Sequence, residues 1–173
     1  MTNIWVIPPY YSEQPERFDI AWGYDQKNDT IAIGWAKIGN PIIYLQANDN
    51  QNLIDRLNQS YPLYLEKNLA PQYASFIRKF YFEIKEGDII LARKGLQQII
   101  GVGVVFKKNN KTAFFDDTKG KERLANNHEI IASLEYYPNF LNVNWNNGFS
   151  LSAGTLRKLE NFEKIIDTSK LIQ

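Results

Sequence analysis

Chemistry in this chain would have to come from a short set of side chains, and most of them lack the company that chemistry requires. His128 is the only histidine and there is no cysteine, so neither a His-dependent triad nor a Cys/His metal set can be completed. A structural role is expected for it. Asp116-Asp117 could attract a divalent cation, but adjacent carboxylates in a polar stretch are usually just solvated. Glu83-Ile84-Lys85 has the spacing of a nuclease carboxylate and lysine, yet it falls at a helix end with no suitable upstream strand aspartate. Gly101-Val102-Gly103 lacks the third glycine and the following helix of a dinucleotide fingerprint. The expectation is a binding protein with no catalytic residue, no metal and no cofactor.

Aromatic residues beside expected turns are the more informative feature. Trp22, Trp35 and Trp145, with Tyr10, Tyr11 and Tyr24, all stand close to strand or helix ends. Partly exposed π-faces can hold an unstacked base at about 1–3 kcal/mol per base. The bland alternative is core packing, since tryptophan is highly buried on average, and Trp5, inside a strand, is assigned to the core. Net charge is only +1, but eight basic residues against three acidic ones lie between Arg93 and Arg123. That asymmetry can present a positive face to a polyanion, although solvated surface lysines would look the same.

The elements that position these residues centre on Glu86 to Phe106. Asp88–Arg93 and Gln98–Phe106 are rich in aliphatic and β-branched residues and flank Lys94-Gly95, which reads as a β-hairpin. Ile89 to Ala92 does not alternate, so both faces of that strand should be covered. Gly101 and Gly103 share one face; the preferred reading is a bend at a barrel corner, the other a close approach by a backbone or ligand.

Upstream, Asn3–Ile7 is a strand closed by Pro8-Pro9. Ser12 to Asp25 is expected to contain a helical turn, and Thr30–Trp35 is a strand with Ile31, Ile33 and Trp35 on one face. A short helix should carry Leu53, Ile54 and Leu57. A stronger helix starts at Pro71, with Tyr73, Phe76, Ile77, Phe80, Tyr81 and Ile84 in one stripe and Gly87 as its stop. Downstream, Thr112–Phe115 reads as a strand, 116–127 as a polar, mobile loop, and 130–137 and 140–145 as two more strands. A last helix is expected at about 152–167, capped by Ser152.

This pattern predicts one α+β domain over residues 1–173: a small curved mixed β-sheet or barrel of about six strands flanked by two or three helices. The length suffices for a real core without disulfides. No stretch approaches the roughly 20 apolar residues of a membrane span, and a cytoplasmic location with no membrane partner is expected.

The order of these motifs is familiar. IWVIPPYYSE, then IAIGW, an aromatic helix running into EGDIILARKGLQQIIGVGVV, and SLEYYPNFLNVNW together resemble the EVE-like branch of the PUA/YTH superfamily, and within it the N-terminal DNA-binding domains of McrB-type modification-dependent restriction systems. The resemblance spans roughly residues 3 to 147. It implies a binding module that flips a methylated base, most often N6-methyladenine and in other members 5-methylcytosine, into an aromatic cage, with a fused or partner nuclease or motor as effector.

Carried over by position, Trp35 matches the principal cage tryptophan; Tyr10, Tyr11 and Ser12 match the segment that touches the base edge; Trp145 matches the tryptophan of the final strand, which in some members stacks on the base and in others is structural; and Trp22 could supply another wall. Arg93, Lys94, Lys119, Lys121 and Arg123 would meet phosphates. Pro8-Pro9 and Asn142-Val143-Asn144 depart from the family pattern, where polar and basic residues respectively are common. Modified single-stranded RNA is the alternative ligand, and a nucleotide-processing PUA-like enzyme the alternative class.

Overall fold

The computed structural model describes residues 2–96, 98–145 and 164–165. The elements run β1 (Ile4–Ile7), α1 (Pro15–Asn28), β2 (Thr30–Ile33), two 3-10 turns (Ala36–Ile38 and Pro41–Tyr44), α2 (Gln51–Ser60), α3 (Pro62–Glu66) and α4 (Ala70–Phe82). They continue with β3 (Ile89–Lys94), β4 (Gln98–Val105), β5 (Ala113–Phe115), α5 (Asp117–Glu122), α6 (His128–Ser133), β6 (Asn139–Asn144) and β7 (Lys164–Ile165). The chain is an α+β protein built on one mixed sheet.

The strand order is β2-β6-β4-β3-β1-β7, with β5 also on β6. The expected hairpin is β3–β4, turned at Gly95 with φ +65°. A register shift between Ala92 and Arg93 puts a bulge beside Gly101, which increases local twist. Strand β1 joins β3 in parallel and β6 joins β4 and β2 antiparallel. On one side β6 meets β2; on the other it meets β5 through 139–141 and β4 through 143–144. No pairing closes β2 onto β7 among the described residues, so the sheet is open.

Strand alternation sorts the core. Trp5, Ile7, Ile31, Ile33, Ile90 and Ala92 enter one cluster with α2 and α4, while Ala32 and Phe140 enter a second with Phe18 and Ala21 of α1. Helix α4 buries Tyr73, Ile77, Phe80 and Tyr81 of the expected stripe, and Ile84 just beyond it. Each such side chain is worth about 1.5–3 kcal/mol of apolar burial. Asp88 locks the entry to β3, accepting from Trp5 Nε1 at 2.9 Å, Asn3 N at 3.0 Å and Lys85 N at 2.9 Å.

Several expectations need correction. The helical turn near Ser12 is a 14-residue helix, α1, whose Pro15 occupies the first turn and whose end is set by Asp29 in the left-handed region. Residues 116–127 are not a mobile loop: Asp116 caps α5 by accepting from Lys119 N at 2.9 Å, and Arg123 and Leu124 are buried. The strand expected at 130–137 is α6 followed by an irregular run, because the Asn127 side chain accepts from the N–H groups of Glu129 and Ile130 and nucleates a helical turn. The helix expected at about 152–167 lies outside the described residues, apart from Lys164–Ile165, which pair with β1.

A candidate aromatic binding cavity

Three short segments converge beyond the ends of β2 and β6. The first is Gly34-Trp35 at the exit of β2. Trp35 sits in the left-handed region at φ +69°, and its carbonyl accepts from Ile38 N, starting the 3-10 turn. Gly34 makes room for a ring, since a Cβ there would stand 3.3 Å from Tyr137 Cε1. The second segment is Tyr61–Tyr64, where Pro62 opens α3 and restricts Tyr61 to an extended backbone. The third is 133–137, where Leu134 ends α6 in the left-handed region and the chain bends at Tyr136 before Tyr137 and Pro138 lead into β6.

Together with Tyr11 they enclose a cavity of about 200 Å³. Its walls are six aromatic rings: Tyr11, Trp35, Tyr61, Tyr64, Tyr136 and Tyr137. Tyr61 and Tyr64 stack at 4.6 Å, Tyr64 meets Tyr73 edge-on at 4.8 Å, and Tyr73 lies 5.9 Å from Trp35. Trp35 Nε1 donates to the Tyr64 hydroxyl at 3.2 Å, which fixes both rings while leaving the indole faces for other contacts. Drug-sized ligands occupy about 300–1,000 Å³; this cavity suits a single planar ring system.

The cavity is apolar but not electrically bland. Burial pushes the Tyr11, Tyr61, Tyr64 and Tyr136 phenols well above their ordinary value of 10.0, so every one is neutral at physiological pH. Cations stand against three of the rings: Lys37 Nζ 5.1 Å from the Tyr61 centroid, Lys121 Nζ 5.6 Å from Tyr136, and the Arg123 guanidinium 5.6 Å from Tyr137. Lys37, exposed, and Glu135, half-buried, are the charged lining residues. Tyr136 donates to Asp117 Oδ1 at 2.6 Å, and Lys121 pairs with the other Asp117 oxygen at 2.9 Å. Burial tends to raise the Asp117 pKa, but the bonds from Tyr136 and Lys121 outweigh it and hold the carboxyl below its usual value.

Of the residues expected at a base pocket, Trp35 and Tyr11 line the cavity. Tyr10 lies next to it, fully buried, packing on Tyr11 and Tyr137 and donating to the Glu135 carbonyl at 3.1 Å. Ser12 stands instead near the Gly95 turn. Trp22 and Trp145 are not cage walls. They meet edge-on at 4.9 Å against β4, where a Cβ on Gly101 would come within 2.6 Å of Trp22 Cη2 and one on Gly103 within 2.7 Å of Trp145 Cε3. Trp145 Nε1 donates to the Thr30 carbonyl at 2.8 Å. The two glycines therefore make room for indoles, Gly103 also lying close to the Asn144 carbonyl, while the register shift beside Gly101 puts a bulge there as well.

The basic residues also divide. Arg123 is fully buried, with Nε and Nη2 on the two oxygens of Asp25 at 2.9 and 2.7 Å and Nη2 also on the Pro9 carbonyl at 2.6 Å. It is a core residue and not a phosphate ligand, and its role at the cavity is to back Tyr137 from within. Burial dominates the Asp25 carboxyl and raises its pKa against the pull of Arg123. Arg93 is buried at the β3 bulge. Lys94 lies over Phe18 and Lys119 over Phe114, both near the surface. His128 is exposed at the start of α6, and no cluster of metal-binding side chains occurs among the described residues.

Sequence reasoning missed Tyr61, Tyr64, Tyr136, Tyr137 and Lys37. A signal was present: tyrosine adjoins proline at Pro9-Tyr10, Tyr61-Pro62 and Tyr137-Pro138, and each junction belongs to a segment that builds this site.

The fold and cavity define a class: an α+β domain with a mainly aromatic pocket at one end of an open mixed sheet. The chain matches a family model over residues 19–164 and belongs to that family, the Domain of unknown function (DUF8426). No curated protein and no solved structure matches it significantly. Among the described residues no helix is long and apolar enough to cross a membrane.

Proposed function

We propose that this chain is an EVE-like reader of modified DNA, which takes one extruded methylated base, N6-methyladenine in the first instance, into the cavity around Trp35. The observation that carries the reading is six aromatic rings around about 200 Å³, with burial pushing up the phenols of Tyr11, Tyr61, Tyr64 and Tyr136. Two faces of a planar base would be stacked, at about 1–3 kcal/mol. A methyl on the exocyclic amine adds apolar burial of about 0.8 kcal/mol per carbon, while the remaining N–H needs an acceptor such as a backbone carbonyl.

Extrusion from a duplex costs a few kcal/mol, so the cage and the backbone contacts must together outweigh it. Lys37 and Lys121, each against a cage ring, would meet the phosphates beside the extruded nucleotide, together with Lys94 and Lys119. These contacts give salt-dependent affinity without sequence information. No step of turnover is part of this reading, and cleavage would fall to a fused or partner nuclease or motor.

The test is a titration at fixed moderate salt of one duplex in four forms: unmodified, N6-methyladenine on one strand, the same on both strands, and 5-methylcytosine. Tighter binding to one modified form, lost in Trp35→Ala, is the expected result. Equal, weak and salt-sensitive binding to all four overturns it, and preference for modified single-stranded RNA would move the reading to the alternative ligand.

A further inference from the structure

Among the described residues, eight that are not glycine have positive φ: Asp29, Trp35, Asn68, Asn109, Asn110, Ala125, Asn126 and Leu134. Five are Asn or Asp, which tolerate the left-handed region because their short polar side chains bond locally. Of the remaining three, Trp35 and Leu134 line the same cavity. Strained backbone held at a pocket is a pointer to use. Trp35 has a place in the cage, which leaves Leu134 to be accounted for.

Leu134 is the C-cap of α6, at φ +58° and ψ +36°, a position that glycine or asparagine fills without steric cost. A leucine is held there although it joins none of the buried core clusters. Its side chain is 39% exposed while its neighbours Tyr136 and Tyr137 are 3% and 1% exposed, so it stands at the rim and not in the wall. Leu63, 41% exposed, is a second exposed leucine on the lining. Exposed leucine beside a pocket that takes one ring, with the Lys37 cation on the same rim, is the composition of a wedge that enters a base stack.

We infer that Leu134 enters the duplex at the gap left by the extruded base, stacking against the flanking base pairs. This rests on the base-reading proposed above. The backbone at Leu134 is already held by its N–H bond to the Ile131 carbonyl and by the Glu135 N–H bond to the Ile130 carbonyl, so little backbone ordering is required on contact. The partner of the wedge is therefore duplex DNA; a single strand has no stack to fill.

The experiment compares three probes carrying N6-methyladenine: a duplex, the modified strand alone and the free deoxynucleoside. Leu134→Gly suits φ +58° and keeps or raises the melting temperature, so lost binding will not reflect unfolding. The expected result is a fall of about tenfold in the ratio of duplex to single-strand affinity, equivalent to about 1.4 kcal/mol, restored by Leu134→Met. An unchanged ratio in Leu134→Gly overturns the wedge while leaving the cage intact. A parallel loss for all three probes also overturns it, making Leu134 a wall of the cavity. If the unaltered protein binds none of the three, the base reading itself fails and the wedge with it.

Discussion

The side-chain amide of Asn139, at the start of β6, donates to the carbonyl of Gly34 at 2.7 Å across 105 residues of sequence. The same fully buried side chain accepts from the Tyr81 hydroxyl of α4. One amide thus ties the strand that ends at the cavity, the helix that backs the sheet and the turn that carries Trp35. A hydrogen bond to the residue before it thus helps to hold Trp35 at the cavity.

Asn139→Ala should accordingly damage both fold and site. It leaves a buried carbonyl and a buried phenol without their partner, at about 1–3 kcal/mol for each group. Denaturant melts would read the loss of stability. Ligand titration under native conditions should also show weaker binding, because the Gly34-Trp35 turn is released; full affinity in a stably folded variant would show that the turn is held by other contacts.

Asp25 and Arg123 give the second prediction. Asp25→Asn leaves a buried guanidinium without its counter-charge and should cost about 3–5 kcal/mol, whereas replacing both residues by apolar side chains of similar volume should recover much of that. Because Arg123 has no exposed surface, its removal should change melting and leave unaltered the slope of DNA affinity against salt in any fraction that remains folded. A shallower slope would return Arg123 to the phosphate-binding set.

Gly101→Ala is expected to overpack the sheet, since the new methyl would stand 2.6 Å from Trp22 Cη2. A cost of about 1–3 kcal/mol is typical of such insertions. Trp22→Ala in the same chain should relieve the clash and show coupling in a double-mutant cycle. Trp22→Ala alone should lower stability yet preserve discrimination between modified and unmodified bases; lost discrimination would bring Trp22 back into the cage.

Alkaline titration tests the phenols. Tyr10 is pushed up to about 12, by burial first and then by the Glu135 charge, and Tyr11, Tyr61, Tyr64, Tyr81 and Tyr136 are also raised above 10.0, with burial the leading cause for each. In the unfolded chain these phenols ionise near their ordinary value, so between that value and the raised one the native state binds more protons. Stability is then fully present below about pH 10 and falls as pH rises beyond it. Melting temperature and tyrosinate absorbance against pH would check this; tyrosinate forming near pH 10 in the still-folded protein would mean that the rings are accessible to water.

Much of the frame was legible in the sequence because local patterns dictate it. The β3–β4 hairpin follows from two aliphatic runs around Lys94-Gly95, α4 from its aromatic stripe, and the inward face of β2 from the alternation of Ile31, Ile33 and Trp35. The α+β class follows from those elements together. Where local signals competed, the reading failed: the apolar pair Ile130-Ile131 suggested a strand, but the Asn127 cap made α6, and the Asp116 cap turned a polar loop into α5.

The site was decided by tertiary structure. Charge and aromaticity are visible in a sequence, but burial is not, and burial separates Lys37 at the cavity mouth from Arg123 in the core. Trp22, Trp35 and Trp145 look alike as letters beside turns; whether an indole faces a cavity or fills the space above a glycine depends on which strand lies next to it. Tyr11, Trp35, Tyr64 and Tyr136 come from four separate segments, and only the pairing of β6 with β2, which brings Gly34 to Asn139, gathers their rings around one space.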